Sequence, residues 1–82
     1  MTTAETYLAK IRQAETDGEE VYVCTHLKAT RITQAAFAKW RKAGRDLFKL
    51  SKDGALLMAT GKKYVRLTSG TDIPLVRIIY VS

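Results

Sequence analysis

Apolar positions near the start of the chain recur at intervals of three and four. Ala4, Tyr7, Leu8, Ile11 and Ala14 fall on one stripe of an α-helix, and Thr2 followed by Glu5 has the spacing of a capping box. Gly18 is the expected stop. The period then changes to two. Val21, Val23, Thr25, Leu27 and Ala29 alternate with Tyr22, Cys24, His26 and Lys28, which predicts one half-buried strand over residues 20–29. A short helix over 25–31 competes with that reading, but β-branched and aromatic residues at its opening oppose it. A second helix is predicted over 34–43, capped by Thr33, with Ile32 stapled onto Phe37 and a buried stripe of Ala36, Phe37, Trp40 and Ala43. Gly44 is expected to end it.

From residue 47 the pattern is strand-like. Segments 47–51 and 55–60 flank Asp53-Gly54, a two-residue hairpin signal because both turn positions must accept positive φ. Gly61-Lys62 separates 55–60 from a strand over 63–68, and residues 69–72 separate that strand from the last, over 73–81. Pro74 marks the beginning of this last strand as an edge or an entry. Its alternating sets, Ile73, Leu75, Ile79 and Val81 against Val76, Ile78 and Tyr80, leave only Arg77 as an interruption, so both faces have something to bury.

The element order predicts an α+β domain spanning 1–82: two helices packed on a mostly antiparallel sheet of four to five strands, in two layers. A winged-helix arrangement is the alternative, with 34–43 as recognition helix and the 52–54 hairpin as wing. It requires helix within 21–29, where the alternation speaks for a strand.

Composition narrows the class. At 82 residues, 46% hydrophobic and 27% charged, the chain has the make-up of one folded domain, at a size where a single core supplies modest net stability and a partner would help. A lone cysteine, Cys24, excludes an internal disulfide framework, and the start lacks a basic segment followed by an apolar run. A cytoplasmic protein is expected. No apolar run approaches the roughly 20 residues that span a bilayer, so no membrane association is expected.

Charge changes the picture most. The stretch 31–66 holds ten of the fourteen Lys and Arg residues against two of the eight acids, within a chain of net charge +6. Glu15, Asp17, Glu19 and Glu20 crowd just before it. Such segregation is the electrostatic footprint of a domain that meets a polyanion, because phosphates attract the cations and release condensed counterions on contact. Candidate nucleic-acid contacts are Lys39, Arg41, Lys42 and Arg45 around the end of the second helix, Lys49 and Lys52 near one turn, Lys62 and Lys63 at the next, and Tyr64 and Arg66 on the strand after it. Basic residues at a helix end also complement the macrodipole, an equally weighted explanation for the first group. Tyr64 between Lys63 and Arg66 has the interleaving by which single-strand binders stack bases beside phosphate contacts, and Tyr22 is the other aromatic left open. Trp40 and Phe37 fit the core stripe. A continuous patch requires Lys49 and Arg66 to share a sheet face.

Other constellations are weaker. Cys24 and His26, two apart on a predicted strand, have thiolate–imidazolium or metal-ligand spacing, yet zinc sites usually need four ligands and the chain holds no second Cys or His. The acids lack calcium-loop spacing and read as a solvated turn. Gly61-Lys62-Lys63 lacks the full glycine pattern and the hydroxyl ligand of a phosphate loop. The paired aromatics of an RNA recognition motif are absent. No catalytic residue, metal or cofactor is expected. The leading expectation is a small non-enzymatic binding protein that neutralises nucleic acid backbone, DNA or RNA. The runner-up is a protein-interaction module, an inhibitor or adaptor acting on a nucleic-acid-handling partner, with a homodimer through the C-terminal strand as a further expectation.

Overall fold

The computed structural model describes residues 2–25, 28–68 and 77–82. Helix α1 spans Thr3–Asp17 and opens with the expected capping box: the Thr2 hydroxyl accepts from the Glu5 N–H at 3.1 Å, and the Glu5 carboxylate accepts from the Thr2 N–H. It buries Ala4, Leu8, Ile11 and Ala14, with Tyr7 half-buried beside them. That is the stripe its spacing predicts.

The expected strand over 20–29 is instead the larger part of a hairpin. β1 (Glu20–Cys24) pairs antiparallel with β2 (Ala29–Ile32), in a register that sets Val21 opposite Ile32 and Cys24 opposite Ala29. Thr25 supplies the physical reason. Its N–H donates to the Lys28 carbonyl at 2.8 Å, its hydroxyl donates to that same carbonyl, and the Lys28 N–H donates to the hydroxyl. A threonine that satisfies nearby backbone in this way competes with continued extension, which period-two counting does not register. His26 and Leu27 lie outside the described residues. Since extended chain separates the two helices, the winged-helix alternative, with its immediately consecutive helices, does not describe this fold.

Helix α2 (Gln34–Lys42) begins as expected, with the Thr33 hydroxyl accepting from the Ala36 N–H at 3.2 Å. Gln34 fastens its first turn to the α1–β1 connection by donating to the Glu19 carbonyl at 2.9 Å. Phe37 is buried, Ala36 and Trp40 are half-buried, and Ala43, expected in the stripe, is exposed because the helix ends at Lys42 and Ala43 only caps it.

The remaining strands are β3 (Phe48–Leu50), β4 (Leu56–Thr60), β5 (Lys63–Arg66) and β6 (Arg77–Val81). The hairpin between β3 and β4 is longer than the two residues expected. Ser51 accepts from the Gly54 N–H at 3.0 Å and donates to the Ala55 carbonyl at 2.8 Å, leaving a three-residue loop that ends on Gly54 at φ 84°. Gly61 and Lys62 do form a two-residue turn, since Thr60 pairs with Lys63.

The strands build two three-stranded antiparallel sheets, ordered β2-β1-β6 and β3-β4-β5, not the single sheet of four to five strands expected. The extra hairpin is the cause. β1 has its two edges filled by β2 and β6, and among the described residues the meander β3–β5 pairs within itself. Residues 69–76, the expected first part of the last strand with Pro74, lie outside the described residues.

α1 packs against β1, β3 and β4, so one helix joins both sheets over a common core of residues such as Ile11, Val21, Val23, Phe37, Leu56 and Leu67. Leu56 is wholly buried, and each large side chain of this kind contributes about 1.5–3 kcal/mol before conformational entropy is counted. Leu67 and Thr68 extend the pairing past β5: Leu67 donates to the Leu56 carbonyl at 2.7 Å, and the buried Thr68 hydroxyl accepts from the Leu56 N–H at 2.9 Å. Tyr80 of β6 has a buried hydroxyl with no hydrogen-bond partner among the described residues, and burial, followed by the nearness of Tyr7, pushes its pKa up to about 12. Among the described residues no helix is long and apolar enough to cross a membrane.

Candidate functional site

The site is assembled by the exit from α2. Gly44 adopts φ 71°, and the two hydrogen bonds of a Schellman motif close the helix, Gly44 N–H to the Arg41 carbonyl at 3.1 Å and Arg45 N–H to the Trp40 carbonyl at 3.2 Å. This reversal brings the Arg45 side chain back over the helix end. Its guanidinium carbon lies 4.8 Å from the Trp40 ring centre and 5.7 Å from that of Tyr64, while Nη1 donates to the Gly61 carbonyl at 2.7 Å. Lys49 Nζ sits 4.0 Å from the Tyr64 ring centre. The Tyr64 hydroxyl donates to the Asp46 carbonyl at 2.8 Å. Four pieces of chain therefore meet here: the α2 exit, β3, the β4–β5 turn and β5.

Cation–ring contacts at exposed positions are worth about 0.5–1 kcal/mol each. That suffices to hold long side chains in one region of rotamer space, and it is small enough for an anion to compete. Strand register settles which cations share a surface. Lys49 faces Leu57, Leu57 faces Arg66 and Ala59 faces Tyr64, so Lys49, Tyr64 and Arg66 project from one side of the β3-β4-β5 sheet. Phe48, Leu56 and Met58 project from the other side, into the core.

The candidate residues do not all behave alike. Arg45 and Lys49 are gathered around Tyr64, and Lys62 follows Gly61 in the adjoining turn. Lys63 is exposed and belongs to the alternate set of β5. Lys39 and Lys42 are exposed on α2. Lys52 stands in the β3–β4 turn, at the opposite end of the sheet from Lys62. Two arginines are engaged with acids: Arg41 pairs with Glu15 of α1, and Arg66 pairs with Asp53 at 2.6 Å. None of Lys39, Lys42, Arg45, Lys49, Lys52, Lys62 and Lys63 forms an ion pair among the described residues.

Arg66, and secondarily the Ser51 hydroxyl, hold the Asp53 carboxyl at about 2, below its ordinary 3.8. A carboxyl depressed in this way adds stability that is fully present above about pH 4 and is lost as pH falls through 2. Both partners are about half exposed, so the gain is small. In an NMR pH titration the Asp53 side chain should show a midpoint near 2 in the parent and a higher one in Arg66→Ala, still below 3.8 because the Ser51 hydroxyl remains bonded to it. An unmoved midpoint would mean that Arg66 does not hold it.

The acidic stretch is largely engaged within the fold. Glu15 pairs with Arg41, and Asp17 accepts from Gln13 at 2.9 Å. Glu20 pairs with Arg31 of β2, whose hydrogen bond lowers the Glu20 pKa. Among the described residues no three His, Cys, Asp or Glu side chains converge on a point that could hold a metal. Cys24 is half-buried and ends β1, while the His26 partner considered for it lies outside the described residues.

Sequence reasoning missed Trp40 as part of the site because its stripe position accounts for it as core. The available signal was Gly44, whose predicted left-handed turn returns the following arginine over the residue five positions before it. No protein-family model, curated protein or solved structure matches this chain.

Proposed function

We propose that the chain is a small, non-enzymatic cytoplasmic protein that binds the phosphate backbone of nucleic acid, DNA or RNA, with a regulatory role. The observation that carries this reading is the cluster of Arg45 and Lys49 on the Tyr64 and Trp40 rings, beside Lys62, with no carboxylate among the described residues paired to any of these cations. Cations held on rings keep their charge and lose less side-chain freedom when a phosphate arrives. Lys39, Lys42, Lys52 and Lys63 widen the positive surface, and Arg66 can exchange the exposed Asp53 carboxylate for a phosphate, because surface ion pairs are worth about 0–1 kcal/mol.

Fluorescence anisotropy with labelled duplex and single-stranded oligomers tests the reading. Binding should show little sequence preference and fall steeply with salt, by about 40-fold for three phosphate contacts and about 2,000-fold for six as salt rises from about 50 to 200 mM. Absence of binding at about 50 mM would end the hypothesis, since backbone contacts are strongest there.

A second reading, a protein-interaction module or homodimer working through β6, rests on a different surface. Ile79 and Val81 are 36% and 41% exposed and lie opposite Tyr22 and Glu20 of β1. A complex that survives high salt would implicate that apolar face and not the basic one.

A further inference from the structure

A cleft of about 200 Å³ lies between α1, the end of α2 and the start of β3. Leu8, Phe37 and Trp40 give it an apolar and aromatic lining, and Arg12, Arg41 and Arg45 also line it. Arg45 and Trp40 belong equally to the basic cluster already described, so cleft and cluster form one continuous surface. Pockets for drug-sized ligands run from about 300 to 1,000 Å³, so this space suits a single planar ring system.

We propose that the cleft receives one unpaired nucleobase of a single strand whose neighbouring phosphates rest on Arg45 and Arg12. The inference builds on the backbone-binding function above and names its substrate class. Three observations lead to it. The Tyr64 ring carries both Lys49 and Arg45 and its hydroxyl is bonded to Asp46, whereas Trp40 carries Arg45 alone and lines the cleft, so the aromatic side chain offered to a base is Trp40. Arg41 is taken by Glu15, whereas among the described residues Arg12 makes no ion pair and Arg45 is joined only to rings and a backbone carbonyl. Asp46 also lines the cleft, and its side chain makes no ion pair among the described residues, so its carboxylate is available as an acceptor for a base amino group. A base inside duplex DNA is stacked and cannot enter without being extruded, so the cleft favours single strands.

Trp40 is the only tryptophan of the chain, so its emission reports on the cleft directly. The test is to titrate the protein with an unpaired oligonucleotide of about eight residues, a blunt duplex with the same number of phosphates, and inorganic polyphosphate of equal charge. The single strand should quench Trp40 emission by half or more and bind about tenfold more tightly than the duplex, and polyphosphate should leave the emission unchanged. Arg12→Gln should weaken single-strand binding several-fold more than Lys10→Gln, which removes the same charge from an exposed α1 position outside the cleft. If all three polyanions bind alike with no change in Trp40 emission, the cleft proposal fails while the backbone-binding function stands. If none of them binds, both fail.

Discussion

Arg45→Glu combined with Lys49→Glu should lower affinity for duplex DNA at about 100 mM salt by about 100-fold. Each phosphate contact carries about 0.9 of a decade in affinity per decade of salt, so losing two contacts at a tenth of molar removes roughly 60-fold, and the reversed charges add repulsion. The same double change at Lys10 and Lys28, both exposed and away from Tyr64, alters net charge identically and should cost well under tenfold. Equal losses in the two proteins would show diffuse attraction with no organised site. Folding has to be checked alongside. Arg45 loses two ring contacts and its bond to the Gly61 carbonyl, which together amount to about 1.5–3.5 kcal/mol. In a domain of this size that lowers the melting temperature by about 6–28 °C. Binding measured well below the transition therefore reports on the surface and not on unfolding.

Local signals carried most of the elements, and non-local pairing carried what they did not. The capping box and the three-four spacing in α1 are satisfied within one helix, so the residues they predict to be buried are the ones that are. Thr33 and Gly44 likewise bracket α2 through bonds to neighbours in sequence. The break after Cys24 went unread because Thr25 fits the alternation, while its hydroxyl and N–H are turned to Lys28 instead. That single turn decides the sheet topology, since it gives β1 a partner on its β2 edge and leaves β6 to fill the other. Division into two sheets follows from strand pairing over long separations, to which a period of two is blind. For the site, charge clustering marked the right segment, but which cations converge depends on register. Lys49 and Tyr64 meet because β3 and β5 flank β4 with matching faces, whereas Arg41 and Arg66 turned out to be engaged by Glu15 and Asp53.

Ile78→Glu should unfold the domain, and Ile79→Glu should leave it folded. The two residues are neighbours in β6 with opposite orientations: Ile78 faces the core and packs against its buried residues, while Ile79 points outward opposite Tyr22. A carboxylate forced into the core at 78 loses the apolar transfer energy and leaves a poorly solvated charge, a combined cost above about 4 kcal/mol. Total stability for 82 residues is on the order of 4–12 kcal/mol, so that loss removes much or all of it. At 79 the new carboxylate stays in contact with water and costs within about 1 kcal/mol. The pair therefore separates the core role of β6 from its surface role. If β6 joins two chains, the parent should sediment as a dimer at micromolar concentration and Ile79→Glu as a folded monomer, because an outward carboxylate would be buried against its own copy. A parent that sediments as a monomer, together with unfolding by both substitutions, would make β6 purely a core strand and remove the support for an interaction surface on it.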